Sequence, residues 1–178
     1  FRDINFNSSN VNEWNILLQN LIMYKSYAFY TFDSQLIPSV YMPPLYPFFL
    51  YLIKVISTLE ENNLLNAIIL VQIVLSTYSI YIFYQLNQNF FSDKVSLINS
   101  CIYSIIPLNI YACGQISSIN LQIFLSLLFL KFLLLLIDNN KNTIIVFFSI
   151  VSGLLILTRG EFILILFIII LFGLFNKK

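Results

Sequence analysis

Long runs of apolar residues limit what this sequence can fold into, because five of them reach or approach the length of a membrane-crossing helix. Crossing a bilayer takes about 20 apolar residues in an α-helix. Hydrophobic residues make up 59% of the 178 residues and charged residues only 10%. The sequence therefore predicts an all-α integral membrane protein with multi-pass transmembrane helices. We expect the spans at about residues 64–86, 95–113, 121–137, 143–158 and 162–175, the last two being short.

The charge balance and the lack of histidine exclude several classes of function. Nine Lys and Arg residues stand against eight Asp and Glu residues, so the chain has no basic surface for a nucleic acid. The sequence contains no histidine and no CxxC motif, which argues against a zinc site and a histidine base in this segment. We expect no metal and no cofactor, and any proton acceptor has to be a carboxylate.

Residues 1–63 precede the first long run and are predicted to form an external segment. Apolar residues follow helical spacing over 11–24, after Ser and Asn residues suited to a helix N-cap. We interpret 11–24 as an amphipathic helix on the bilayer surface, with Trp14 in the headgroup belt. Residues 47–58 form an apolar helix of on the order of 18 Å, too short to span. This second helix is predicted to be re-entrant or interfacial.

The basic residues predict how the chain crosses the membrane. Alternate connections carry Lys94, Lys141, Lys177 and Lys178, whereas the other connections carry Arg159 alone. The positive-inside rule places the lysine-bearing connections in the cytoplasm. Residues 1–42 then lie outside, provided that 47–58 does not cross. Because the sequence begins at Phe1 without a signal segment, we interpret the chain as a fragment of a longer one, with residues 64–178 as its transmembrane helical region of about five spans.

Two motifs, "PPLYP" at 43–47 and "LTRGE" at 157–161, occur in an order and spacing that resemble a known family. With the external segment and the spans, they resemble the N-terminal half of a GT-C fold glycosyltransferase. The nearer group contains protein O-mannosyltransferases and the lipid A aminoarabinose and galacturonic acid transferases. The resemblance implies an enzyme that moves a sugar from a polyprenyl-phosphate donor to a lipid, glycan or protein acceptor. It also implies a bacterial inner membrane with the N-terminal loop in the periplasm.

The resemblance implies a catalytic base in the external segment. Such enzymes typically carry an Asp four residues before an aromatic residue, and in this chain the aromatic is Trp14 and the Asp position is Asn10. The nearest acids, Glu13 and Asp3, are therefore the candidate bases. A second family acid falls near Ile119 and is also absent. The alternative for Glu13 is a solvated charge on the polar face of a helix.

The same resemblance points to residues that bind the donor. Tyr41, Pro43, Pro44 and Tyr46 are candidates for shaping a groove beside it, although two prolines also simply begin a helix. Arg159 is a candidate for holding the donor phosphate, because a guanidinium offers several hydrogen-bond donors. The alternatives for Arg159 are an interfacial anchor or an ion pair with Glu161.

Charged and aromatic residues inside the spans have simpler interpretations. Lys131 is expected to extend its side chain to the cytoplasmic interface. Tyr78, Tyr81 and Tyr84 are expected to form a packed or interfacial stripe.

Two other functions are alternatives to the transferase. A transport or assembly subunit, such as part of a polysaccharide flippase, predicts polar residues along several spans. An inactive relative of the GT-C enzymes is the third possibility, since both expected acids are missing.

Overall fold

The computed structural model describes residues 13–32, 35–38, 42–57, 61–139 and 141–175, and most of them are helical. The helices are α1 (Glu13–Tyr24), α2 (Leu45–Ser57), α3 (Glu61–Gln88), α4 (Asp93–Ser104), α5 (Pro107–Cys113), α6 (Ile119–Asp138), α7 (Asn142–Thr158) and α8 (Phe162–Phe175). Two short strands, β1 (Ala28–Phe32) and β2 (Gln35–Pro38), form an antiparallel hairpin between α1 and α2. The predicted all-α membrane fold is confirmed, and the hairpin is a local addition to it.

The helices follow the predicted spans closely. Among the described residues, α3 and α6 are each long and apolar enough to cross a membrane, and α4 with α5 can cross as one bent pair. Helices α7 and α8 have 17 and 14 residues, so their crossing stays a prediction. Helix α2 has 13 residues, which agrees with the prediction that this segment is too short to span.

The bend between α4 and α5 has a specific chemical cause. The two helices meet at an angle of 56°, immediately before Pro107. Proline has no N–H, so it cannot donate to the carbonyl of Tyr103 one turn earlier. The side-chain amide of Asn109 donates to that carbonyl instead, at 3.2 Å. The span therefore bends at proline while the released carbonyl keeps a partner, as an apolar environment requires.

Helices α3 and α6 run in the same direction and form the centre of the bundle. Asn120 at the start of α6 contacts Gln72, and Lys131 near its end contacts Gln85. Helix α7 packs back along α6 through stacked and tilted ring pairs, Phe129 with Phe148 and Phe132 with Phe147. Leu121, Leu125 and Leu155 belong to the buried core between these helices.

Helix α2 folds back along the first part of α3. Tyr46 in α2 and Gln72 in α3 lie equally far along the chain from the connection between the two helices. Their side chains are in contact, so the two helices are antiparallel. The inner face of α2 carries the fully buried Leu50, whereas Leu52 and Ile56 on its outer face are 55% and 74% exposed. Helix α2 thus presents apolar surface in both directions, a pattern suited to a helix between protein and lipid.

Helix α1 differs from its prediction in what its apolar face meets. The prediction set this face on the bilayer, but Leu17 and Leu18 are almost completely buried and α1 packs on α2 and β1. Trp14 is half-buried and lies against Tyr46, and its place in a headgroup belt stays a prediction. The helix ends at Tyr24, the next residue, Lys25, has a left-handed φ of 51°, and the side chain of Asn20 donates to the carbonyl of Ala28.

Candidate functional site

Three parts of the chain meet at one end of the bundle, which we name the Tyr46 end. It comprises α1, the start of α2, and residues 114–120 between α5 and α6. Trp14 and Gln72 contact Tyr46, and the backbone of Ser117 is within hydrogen-bonding reach of its hydroxyl. The carboxyl end of α7 lies at this same end, because the ring pairs Phe129–Phe148 and Phe132–Phe147 set α7 antiparallel to α6 and α7 contacts α2.

Three side chains form a buried hydrogen-bonded group at the Tyr46 end, which we name the polar junction. Gln72 donates to the Tyr46 hydroxyl at 2.8 Å, and Asn120 donates to the Gln72 amide oxygen at 3.4 Å. All three residues are at most 3% exposed. A buried amide without partners is costly, so these bonds select one register between α2, α3 and α6.

Burial also fixes the protonation state of Tyr46. It raises the pKa of the hydroxyl above its usual value of 10.0, because a phenolate cannot be solvated in the interior. Tyr46 therefore stays neutral at physiological pH and serves as a packed hydrogen-bonding group. It was predicted to shape the donor groove, and in this structure its ring faces the protein interior.

Glu13 is the first residue of α1 and is exposed. The next residue, Trp14, packs edge-on against Tyr46 with ring centroids 5.1 Å apart. Tyr46 in turn stacks at 6.1 Å on Phe49. The aromatic contact fixes the start of α1 on α2, so the Glu13 carboxylate is carried on a packed helix and faces solvent.

The Pro43–Pro44 segment is held by Tyr27, the residue just before β1. The hydroxyl of Tyr27 donates to the carbonyl of Met42 at 2.6 Å and lies 3.4 Å from that of Pro43. The ring of Tyr27 stacks on Phe48 at 6.3 Å. Both prolines are half-buried, and Pro44 accepts a hydrogen bond from the N–H of Phe48. The prolines therefore lead into α2 from a position held by two aromatic residues.

Arg159 follows the last residue of α7, and it is exposed. Glu161 is exposed too, and within the described part of the chain neither residue makes an ion pair, so the alternative of an Arg159–Glu161 pair is not formed. Two backbone hydrogen bonds hold Arg159 between α7 and α8. Its N–H donates to the carbonyl of Leu155, and its carbonyl accepts from the N–H of Phe162. Arg159 thus has its guanidinium available at the end of the bundle that carries α1 and α2.

Several predicted site residues fall outside the described ranges. These are Asp3, Tyr41 and the unmatched acid position Asn10. The second unmatched acid position, Ile119, begins α6 and immediately precedes Asn120 of the polar junction. Of the two positions at which the resemblance expects an acid, the described one therefore lies beside the polar junction.

Sequence reasoning missed Tyr27 and the amide members of the polar junction. Gln72 lies within a long apolar run and Asn120 at the start of another, and intramembrane polar residues of this kind usually have a partner. That signal identifies them as candidates without naming the partner. Among the described residues, no three His, Cys, Asp or Glu side chains are grouped so that they could hold a metal ion.

Comparison with known proteins identifies one family. The sequence profile of the dolichyl-phosphate-mannose-protein mannosyltransferase family matches residues 42–178, which is most of the chain. No curated protein and no solved structure matches. The match begins at the "PPLYP" segment and includes "LTRGE", and it confirms the resemblance to GT-C glycosyltransferases.

Replacing Tyr46 by Phe tests the polar junction. The variant keeps the ring against Trp14 but leaves the Gln72 amide without its acceptor, so we expect a loss of about 1–3 kcal/mol in the free energy of unfolding. Thermal unfolding of the purified protein in detergent measures it. Tyr51→Phe on the same helix is the control and should change little. Equal effects of the two variants would contradict the role of the junction.

Proposed function

The chain belongs to the dolichyl-phosphate-mannose-protein mannosyltransferase family, and on that premise we propose that it transfers a sugar from a polyprenyl-phosphate donor to an acceptor at the outer membrane face. The family comprises membrane glycosyltransferases that use lipid-linked sugar donors. The donor, the acceptor and the orientation of the chain belong to the proposal, as does its location in a bacterial inner membrane.

The observation that carries the proposal is the meeting of the two motif segments at one end of the bundle. Helix α2 begins within "PPLYP" and packs on α7, which ends within "LTRGE". Helix α1 packs on the same α2, so an exposed carboxylate and an exposed guanidinium lie at one end. This combination suits a reaction between a water-facing acceptor and a donor whose phosphate lies at the bilayer surface.

The proposed reaction needs a base on one side of the sugar and a cation on the other. Glu13 removes the proton of the acceptor hydroxyl or amine, which then forms a bond to the anomeric carbon of the sugar. The bond between that carbon and the phosphate oxygen breaks, and the lipid phosphate leaves with the electron pair. Arg159 stabilises the negative charge that grows on this phosphate. Asp3 is the second candidate for the base.

Glu13→Gln tests the proposed base. The change keeps the size of the side chain and removes its ability to accept a proton, so we expect kcat to fall by roughly 100- to 10,000-fold. Transfer of radiolabelled sugar in membranes containing the full-length protein measures it. Gln19→Ala, at another exposed position of α1, is the control. If Glu13→Gln is active and Asp3→Asn is inactive, the base is Asp3; if both are active, neither acid is the base.

Arg159→Gln tests recognition of the donor phosphate. Loss of a charge-assisted hydrogen bond should raise KM for the lipid donor by roughly tenfold or more. The same transfer assay, run over a range of donor concentrations, separates KM from kcat. Lys141→Gln removes an exposed cation from the opposite end of the bundle and should leave KM unchanged. Equal KM values for both variants would show that Arg159 is only an anchor.

The proposed orientation can be tested with single cysteines. In a Cys101→Ser, Cys113→Ser background, Gln19→Cys should react with a membrane-impermeant thiol reagent on intact cells. Ser92→Cys, in the connection between α3 and α4, should react only after lysis. Both native positions are exposed, so access differs only by the side of the membrane. The reverse pattern would place α1 in the cytoplasm and would falsify transfer at the outer face.

An inactive relative of the family is the second candidate, and the missing acids favour it. Ile119 occupies one expected acid position and Asn10 the other. The flippase-like alternative predicts polar side chains that line a path through the bundle. Gln72, Gln85 and Asn120 are instead paired with other residues of the chain, and that pairing supports a structural role for them.

A further inference from the structure

A polar cavity lies between α3 and α6 at the end of the bundle opposite to Tyr46, which we name the Lys131 end. The cavity measures about 280 Å³ and is lined by Gln85, Gln88, Asn89, Lys131 and Asp138, together with leucines. No step of the proposed transfer reaction uses these residues. The cavity is notable because it contains one cation and one carboxylate at different depths.

Lys131 is the deeper charge, and the protein satisfies it only in part. Its ammonium donates to the Gln85 side-chain oxygen at 2.7 Å, and the Gln85 amide donates to the hydroxyl of Tyr81 at 2.8 Å. An ammonium has three donors, and the described residues supply an acceptor for one. The extension of this side chain to the interface stays a prediction, and its two other donors are placed to meet an anion in the cavity.

Asp138 is the outer charge of the same cavity. It is the last residue of α6 and is exposed. Two helical turns separate it from Lys131 on the same face, about 10 Å along the axis, and the described residues form no ion pair between them. A second carboxylate, Asp93, accepts a hydrogen bond at 2.7 Å from Gln88, which itself lines the cavity. The cavity lining therefore has its carboxylate at the outer part and its ammonium at the inner part.

We propose that this cavity binds the phosphoethanolamine headgroup of a membrane phospholipid. In such a lipid the phosphate lies nearer the hydrocarbon and the primary ammonium nearer water, which is the order of Lys131 and Asp138. The phosphate accepts the two remaining Lys131 donors, and the ammonium donates to the Asp138 carboxylate. Phosphatidylglycerol has a neutral glycerol in place of the ammonium, so it satisfies Lys131 but forms no ion pair with Asp138, and the site discriminates against it.

The surface leading from the cavity toward the bilayer centre suits the rest of a lipid. Tyr81 and Tyr78 lie one and two turns before Gln85 on the same side of α3, and they are 51% and 55% exposed. Their ring centroids are 5.9 Å apart, and Tyr78 also contacts Phe124 of α6. A lipid held by its headgroup at Lys131 would lay its glycerol and acyl chains along these rings. This site is independent of the proposed transfer reaction.

Native mass spectrometry of the purified full-length protein tests the proposal. The probes are phosphatidylethanolamine, phosphatidylglycerol and phosphatidylcholine with identical acyl chains, at equal concentrations in detergent. We expect phosphatidylethanolamine to be retained roughly tenfold or more over phosphatidylglycerol, since its ammonium forms an ion pair with Asp138 whereas a glycerol hydroxyl is an uncharged donor. Equal retention, or preference for phosphatidylglycerol, overturns the proposal.

Variants at the two charges assign the contacts. Lys131→Gln should lower retention of all three lipids, and Asp138→Asn should lower that of phosphatidylethanolamine alone. Lys94→Gln, at an exposed cation outside the cavity, should change nothing. If Lys131→Gln does not fold, two other variants still test the site. Lys131→Arg should keep the preference for phosphatidylethanolamine, and Asp138→Asn changes only a surface residue. Retention of phosphatidylethanolamine unchanged by Asp138→Asn contradicts the assigned contact.

A soluble competitor separates a lipid from a free ligand. Glycerophosphoethanolamine carries the same charges without acyl chains. It should compete only at roughly hundredfold or higher concentration than the lipid, because it buries no apolar chain surface on the protein. Competition at equal concentration would mean that the cavity takes a soluble phosphoamine, and the proposal of a membrane lipid would be wrong.

Discussion

The hydrogen bonds among Tyr46, Gln72 and Asn120 join the external segment to the helical bundle, and the position of α1 depends on them. An amide within an apolar bundle has few places where it can be satisfied, so Gln72 restricts how α2 and α6 pack on α3. Once Tyr46 is fixed, its ring provides the surface on which Trp14 packs. The position of Glu13 therefore depends on the buried hydrogen bond between Tyr46 and Gln72.

A second polar contact fixes the other end of the same helix pair. Lys131 donates to Gln85, and the polar junction joins α3 and α6 at the far end. Between them the contact surface is apolar, with Ile82, Leu86 and Leu127 in one buried cluster. Apolar surfaces in a membrane allow helices to slide, because lipid competes for the same contacts. Two polar contacts at different depths make one register more favourable than the others.

Most helix boundaries could be predicted from the sequence, because apolar runs and helices end together. The predicted spans 121–137, 143–158 and 162–175 differ by one or two residues at most from α6, α7 and α8. The hairpin of β1 and β2 was missed. Strands β1 and β2 are short and flank residues 33–34, which lie outside the described ranges. A two-stranded hairpin gives no long alternating pattern.

The candidate site could be predicted only in part, for a different reason. Helical periodicity identified the apolar face of α1, but it does not say whether protein or lipid covers that face. In the structure α2 covers it. The "PPLYP" and "LTRGE" motifs were found in sequence, and their meeting at one end is a property of the folded chain. Tyr46 was assigned to substrate binding through the resemblance carried by "PPLYP". Its burial follows from Gln72, a residue that sequence alone does not connect to it.

The two ends of the bundle have different chemistry, and this separates the two proposed sites. About 20 Å of α3 lies between Gln72 of the polar junction and Gln85 at the Lys131 cavity. A phospholipid held at Lys131 would therefore lie in the opposite leaflet from a donor whose phosphate meets Arg159. Buried groups at the Tyr46 end are neutral, so charge there comes from exposed residues such as Glu13 and Arg159. At the Lys131 end the ammonium of Lys131 is partly buried, which suits a ligand of opposite charge. A lipid bound at that end would stabilise the α3–α6 pair without contacting the reacting groups, so lipid preference and sugar transfer should respond to different substitutions.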